Sequence, residues 1–218
     1  AKMNDSVRRR GRPARLSRDA ILTVAQEIVE SAGIDALTMR AVAERLSSSP
    51  MAIYRHVRDK DELLLLLLDR VAATLDRPDL PAEPRQRLVV LWRFLHDELA
   101  AHPWVVGVLA SGDLAGRSIL WLIEEILQAF LASGLDAERA GAAYRAVWQY
   151  TVGVLTIRTA MARTTSELDR PSYQAEMIAA ADPVETPAVA SFVGAWPHAW
   201  ENYDFGLDAL LDGLLPRS

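Results

Sequence analysis

Three helix starts crowd into the stretch from Ser17 to Val57, and that spacing constrains the fold more than any other feature of the chain. Ser17 is a good N-cap for a run in which Ile21, Leu22, Ala25, Ile28 and Val29 recur at helical spacing. Gly33 supplies the stop, as glycine does where the chain turns left-handed. Thr38 caps a second helix to about Leu46, with Val42, Ala43 and Leu46 as its apolar face. Ser47, Ser48 and Ser49 break that pattern, and Pro50 suits the first turn of a third helix, where its missing N–H costs nothing. This third helix is short, from about Pro50 to Val57, with Met51, Ile53, Tyr54 and Val57 as its apolar set. The spacing predicts a helix-turn-helix braced by a first helix. In such a unit one helix fits the major groove of DNA while the preceding one crosses the phosphates.

Charge supports that expectation only once it is divided. The whole chain carries a net −5, which taken alone argues against nucleic acid. Residues 1–60 hold 12 basic and 7 acidic side chains, whereas residues 61–218 hold 12 basic and 22 acidic ones. A basic head on an acidic body implies that the head alone meets a polyanion. Within the head, Arg9, Arg10 and Arg12 belong to an N-terminal arm whose Gly11 and Pro13 oppose a stable helix. Residues 1–16 are expected to be a disordered arm that follows the DNA backbone or enters a minor groove, or else a solvated tail.

Beyond the head the pattern stays helical. Asp59 or Asp61 caps a fourth helix that carries the six leucines Leu63–Leu68 and continues to about Leu75. Leucines in an unbroken row cover every face, so burial on several sides is expected. Three prolines in residues 77–84 mark an elbow. Further helices are expected over Arg85–His102, Pro103–Ser111, Gly116–Ser133, Ala137–Ala162, Pro187–Trp196 and Tyr203–Leu215, with a mobile loop over 164–187. The fold class is all-α. Absence of cysteine excludes disulfides, zinc–thiolate sites, iron–sulfur clusters and a cysteine nucleophile. The leucine run falls far short of the roughly 20 apolar residues a membrane span needs. The N-terminal arginines lack the apolar core of a secretory signal, so a cytoplasmic protein with no membrane partner is expected.

The segments Leu37-Thr38-Met39-Arg40-Ala41-Val42-Ala43-Glu44-Arg45-Leu46, Ser47 through Val57, and Lys60-Asp61-Glu62-Leu63-Leu64 closely resemble the DNA-binding domain of tetracycline-repressor (TetR) family regulators. The specific features are the Thr-x-Arg start, the Tyr-x-His-Val end of the third helix and the Lys-x-Glu-Leu-Leu entry to the fourth. The resemblance implies phosphate or groove-edge contacts for Thr38 and Arg40. It places Ser49, Pro50, Met51 and Ala52 nearest the bases. Tyr54 and His56 would hold the backbone, Arg55 would read guanine, and Lys60 would donate to a phosphate. Two positions depart from the family pattern. The turn reads Ser47-Ser48 where Gly-Val is common, and Ala52 stands where threonine is common, which shifts readout toward Met51 on a thymine methyl. On residues alone, Tyr54 is either core or core plus a phosphate bond.

All six tryptophans follow residue 90. Trp92, Trp104, Trp121 and Trp148, with the polar His96 and Arg158 on otherwise apolar helices, are either core and surface residues or the lining of a small-molecule pocket. Ala101-His102-Pro103-Trp104, Ile123-Glu124 and Ser133-Gly134-Leu135 resemble the C-terminal domain of tetracycline-repressor-type regulators. Val108 falls where that repressor has a histidine for its magnesium–drug complex. No metal, cofactor or tetracycline is therefore expected, and an apolar or aromatic effector is. The small residues Gly141, Ala142, Ala143, Ala146 and Gly153, with Phe205, Leu207, Leu210, Leu211 and Leu214, are expected to form a two-fold homodimer interface. The expected organisation is an arm at 1–16, a DNA-binding domain with its connecting helix at 17–76, and an effector and dimerisation domain at 85–218. The expected function is a non-enzymatic, effector-responsive repressor of a double-stranded DNA operator. The alternative is a small-molecule-binding protein or enzyme with an incidental basic head.

Overall fold

The computed structural model describes residues 16–110, 114–168, 172–196 and 202–216. Among these residues every regular element is helical. The order is α1 (Arg18–Ala32), a short 3-10 turn (Ile34–Ala36), α2 (Met39–Arg45), α3 (Pro50–Tyr54) and α4 (Lys60–Ala73). There follow α5 (Pro84–Ala101), α6 (Pro103–Ala110), α7 (Leu120–Ala132), α8 (Ala137–Leu168), α9 (Tyr173–Ala179), α10 (Pro187–Phe192) and α11 (Tyr203–Leu214). The chain divides into two compact units, with the boundary between Leu67 and Leu68, inside α4.

In the first unit each expected cap is present. Ser17 Oγ accepts from the Ala20 amide at 3.1 Å, Thr38 Oγ1 from Ala41 at 3.0 Å and Ser49 Oγ from Ala52 at 3.3 Å. Ile21, Ala25, Ile28, Val42, Ala43, Ile53 and Val57 form its core, with Leu37 and Met39 added. Asp59 opens α4, accepting from the Glu62 amide at 2.8 Å. That backbone donor, with Arg58 beside it, holds the Asp59 carboxyl below its ordinary pKa. Two features differ from expectation. Helix α3 ends at Tyr54, and Arg55–Val57 continue as a turn in which the His56 and Val57 amides both donate to the Ile53 carbonyl. The leucine run does have a face: Leu63, Leu64, Leu67 and Leu68 are buried while Leu65 and Leu66 are half-buried. Positions i, i+1, i+4 and i+5 lie along one stripe, so one packed side is enough.

The second unit is built on α5, which packs along α7 and also meets α6, α8 and α11. Leu88, Leu91, Trp92, Leu122, Ile126 and Phe130 are fully buried at its centre. Helix α11 is fastened to α5 by Arg85 to Asp208 and Asp212 (3.2 and 2.6 Å) and by Arg93 to Asp204 (2.7 Å). Beneath these exposed pairs, Tyr203 of α11 shares a buried hydrogen bond with the Thr151 hydroxyl at 2.9 Å. The Tyr203 ring stacks between Tyr150 (centroids 5.4 Å) and His96 (4.1 Å), and burial raises the pKa of its hydroxyl.

The region expected as a loop over 164–187 instead continues α8 to Leu168 and contains α9. Ser172 caps α9 on the Ala175 amide, a helix start that the prolines and polar residues around it obscured. Helix α7 begins at Leu120 and not at Gly116, because the preceding turn is occupied: the Ser118 amide donates to Asp69 Oδ1 at 2.8 Å. Gly116 is buried against the same carboxylate, where a Cβ would meet Asp69 Oδ1 at 2.6 Å and push it off the Ser118 amide.

Candidate DNA-reading surface and effector cavity

The head exposes a polar surface built on the second and third helices. Met51 at 69 % and Tyr54 at 49 % exposure point outward with Arg55 and His56, opposite the buried Ile53 and Val57. Tyr54 is therefore not a core residue. Thr38, Ser49 and Pro50 are exposed at the helix starts, and Ala52 is half-buried between them. The Thr38 and Ser49 oxygens accept backbone amides, which fixes their orientation and leaves each O–H free to donate. Arg55 has no carboxylate within ion-pair reach among the described residues, so its five donors are free. Arg40 pairs with Glu44 one turn on, at 2.8 Å, and that hydrogen bond raises its pKa and keeps it charged. An exposed pair of this kind is weak, and a phosphate competes with it directly. Lys60 donates from Nζ to the Ile34 carbonyl at 3.3 Å, which steadies the turn before α2 and leaves further ammonium protons outward. The arm residues Arg9, Arg10 and Arg12 lie outside the described residues.

The helix-turn-helix break answers the question raised by its missing glycine. Ser47 adopts the left-handed conformation at φ 50°. The Ser48 amide donates to the Ala43 carbonyl at 2.9 Å and Ser47 to Glu44 at 3.1 Å. This is the Schellman closure that glycine usually makes, here made by serine.

The body holds a cavity of about 400 Å³. Leu68 and Val71 of α4, Leu95 and Leu99 of α5, and Leu122 and Ile126 of α7 make its aliphatic walls. Helix α8 adds Tyr144, Arg145 and Trp148; α5 adds Glu98 and His102; the turn containing Gly116 closes part of the remainder. Of the side chains expected to bind an effector, Trp148 lies on this wall. Trp92 is fully buried and packs its ring on Tyr144 at 5.6 Å, and His96 stacks on Tyr203. On α5 these two project about a quarter-turn away from Leu95, Glu98, Leu99 and His102, toward α8 and α11. Trp104 is buried outside the cavity wall, Trp121 packs on Phe94 and under Arg77, and Arg158 is exposed. Sequence reasoning missed Glu98, His102, Tyr144 and Arg145. The available signal was the set 95, 98, 99, 102, two polar residues inside an apolar stripe at helical spacing.

Residues 21–67 match the family model described as bacterial regulatory proteins, tetR family, and residues 77–217 match the tetracyclin repressor-like C-terminal domain. The chain belongs to the TetR family. An HTH-type transcriptional regulator of Saccharopolyspora erythraea is 29% identical over 91% of this chain and 84% of its own length. The HTH-type transcriptional repressor DrrR1 of Streptomyces coeruleorubidus is 29% identical over 94% of this chain and 79% of its own length. The solved structure of BioQ with its double-stranded DNA operator matches with a TM-score of 0.62, at 26% identity over 91% of this chain and 98% of that one. The first match falls within the first compact unit and the second within the second. Among the described residues no helix is long and apolar enough to cross a membrane.

Proposed function

We propose that this TetR-family regulator is a homodimeric repressor whose head binds a palindromic operator and whose body cavity takes a small effector that releases it. The observation that carries the reading is the pairing, in one chain, of an exposed surface on a helix-turn-helix with a largely apolar cavity in the body. In the head, Ser49, Pro50, Met51 and Ala52 lie nearest the bases and Arg55 reads guanine, while Thr38, Arg40, Tyr54, His56 and Lys60 hold the backbone. The arm residues Arg9, Arg10 and Arg12 add phosphate contacts. One short helix reads too few bases for specificity, which favours a two-fold dimer with half-sites about one helical turn apart.

Signalling runs through α4. Leu68 and Val71 face the cavity, and Asp69 between them grips the Gly116–Ser118 turn that also lines it. An effector that displaces this turn pulls on the helix that continues into the head. A coupling of about 1–3 kcal/mol is sufficient to release an operator. Gly141 and Ala142 are exposed and Ala146 and Gly153 half-buried on α8, and Phe205 is 72 % exposed on α11, which leaves them available to a second copy. Leu207, Leu211 and Ala143 are buried in the chain's own core, so they are withdrawn from the proposed interface. The alternative, an enzyme or carrier with an incidental basic head, is not favoured by the family match.

The test is fluorescence anisotropy with DNA segments flanking the coding region, in competition with random duplex. One segment is expected to resist competition by at least about a thousandfold, the usual lower bound for specific sites. If every segment competes like random DNA, the operator reading fails.

A further inference from the structure

We infer that the effector is an apolar molecule that carries a hydrogen-bond donor, a hydroxyl or an amine, on the edge that meets α5. This rests on the reading of the body cavity as the effector site. The cavity wall is aliphatic except where α5 and α8 face it, and the two helices present opposite chemistry. Glu98 of α5 and His102, which caps the C-terminus of α5, lie one turn apart on the wall. His102 Nδ1 is 2.9 Å from the Glu98 backbone carbonyl, which can only accept, so Nδ1 carries a proton. With the proton on Nδ1, the tautomer that this bond selects presents Nε2 as the ring's acceptor. The Glu98 carboxylate has no hydrogen-bond or ion-pair partner among the described residues, and an ionised carboxylate only accepts. Two acceptors one turn apart on the same wall suit donors from the ligand.

Helix α8 is the reverse. The Arg145 guanidinium and the Trp148 indole donate and cannot accept. Burial keeps the Tyr144 hydroxyl protonated, with its pKa raised, so it too can donate. An acceptor on the opposite edge of the ligand, such as a carbonyl, suits this wall. A ligand that presents a carboxylate to α5 would set like charges together, and one without polar edges would leave both walls unpaired. Discrimination by unpaired polar groups is the stronger kind of selectivity, since an apolar pocket alone separates ligands poorly.

The experiment uses the full chain and three fluorescent probes on one anthracene skeleton, bearing an aminomethyl, a hydroxymethyl or a carboxylate group, with binding read by fluorescence polarisation. Both donor probes are expected to bind about tenfold or more tighter than the carboxylate. A larger advantage for the aminomethyl probe assigns the selection to the Glu98 charge; a larger one for the hydroxymethyl probe assigns it to His102 Nε2. Glu98→Leu combined with His102→Leu is expected to shrink the gap to about threefold or less, whereas Arg145→Leu, which removes the cation that a carboxylate could turn to on the opposite wall, is expected to widen it. Equal binding of the three probes to the unaltered protein, or preference for the carboxylate, overturns the inference while the cavity remains a binding site. Absence of saturable binding by any probe overturns the cavity reading as well.

Discussion

The head and the body close a helix in the same way with different residues. At the end of α2, Ser48 and Ser47 donate to Ala43 and Glu44; at the end of α7, Leu135 and Gly134 donate to Phe130 and Leu131. Both closures need a left-handed residue, which is Ser47 at φ 50° in the head and Gly134 at φ 94° in the body. The body uses the residue that suits its backbone, and the head accepts strain beside its reading helix. The same contrast runs through the functional sites. The head's candidate surface faces outward and is made mostly of exposed residues that contribute little to packing. The body's candidate site is a cavity whose walls include core residues such as Leu95, Leu99, Leu122 and Ile126. Substitutions of the outward side chains on the head's surface should therefore change DNA binding with little change in stability, whereas substitutions of the body's buried residues should change stability first.

The largest effect is expected at the centre of the body. Trp92 is fully buried against Tyr144, and Trp92→Ala removes a side chain that cannot be replaced by local collapse. Urea unfolding should show a loss of about 3–5 kcal/mol. A loss below about 1 kcal/mol would mean that the body tolerates a void there, and the contrast with the head would weaken.

Next comes the head. Arg55→Ala should cost about 1–3 kcal/mol of binding to the cognate operator while leaving thermal stability within about 0.5 kcal/mol, since the side chain is exposed and unpaired. Arg40→Ala should behave differently. It should weaken binding to every sequence and reduce the slope of log K against log salt by about one phosphate's worth. Anisotropy titrations over a salt series measure both, and an unchanged slope for Arg40→Ala would remove it from the phosphate contacts.

A further substitution tests how the body holds its last helix. Tyr203→Phe removes the hydroxyl that meets Thr151 at 2.9 Å in a buried setting, but Thr151 keeps its bond to the Val147 carbonyl. The expected cost is about 1–2 kcal/mol, less than for a fully orphaned partner. A neutral result would shift the fastening of α11 to the exposed arginine–aspartate pairs.

The same inward and outward division decides what the sequence made legible. Caps at Ser17, Thr38 and Ser49 mark helix starts by local chemistry, and the outward face of α3 follows once Ile53 and Val57 are assigned inward. The cavity has no such local mark. Leu95 and Leu99 look like core whether they touch another side chain or an empty volume, because periodicity reports a buried face and not what lies across it. Trp92 and His96 drew attention as bulky or polar residues, yet they serve packing between helices, and the polar wall residues Glu98 and His102 sit one turn from leucines on the same stripe. Helix α9 was obscured for another reason: it is short and buries no face, and nothing in composition separates a short capped helix from a loop.

The smallest expected effect tests the opening contrast directly. Ser47→Gly relieves a left-handed serine, a conformation that costs roughly 1–2 kcal/mol per non-glycine residue. Glycine's greater unfolded-state entropy offsets part of this gain, leaving a net stabilisation of about 0.5–1 kcal/mol. Gly134→Ser is the reciprocal change. A Cβ there would meet Pro216 only at an ordinary 3.7 Å, so the penalty comes from the backbone, and a loss of similar size is expected. Thermal melts of the two variants should shift in opposite directions. If Ser47→Gly fails to stabilise, the serine is not strained and the two closures are equivalent. If it stabilises the head and also weakens operator binding, the tension in the turn helps to set the angle of α3 against the DNA. The serine would then be retained for binding at the expense of stability, as expected of strain at a functional site.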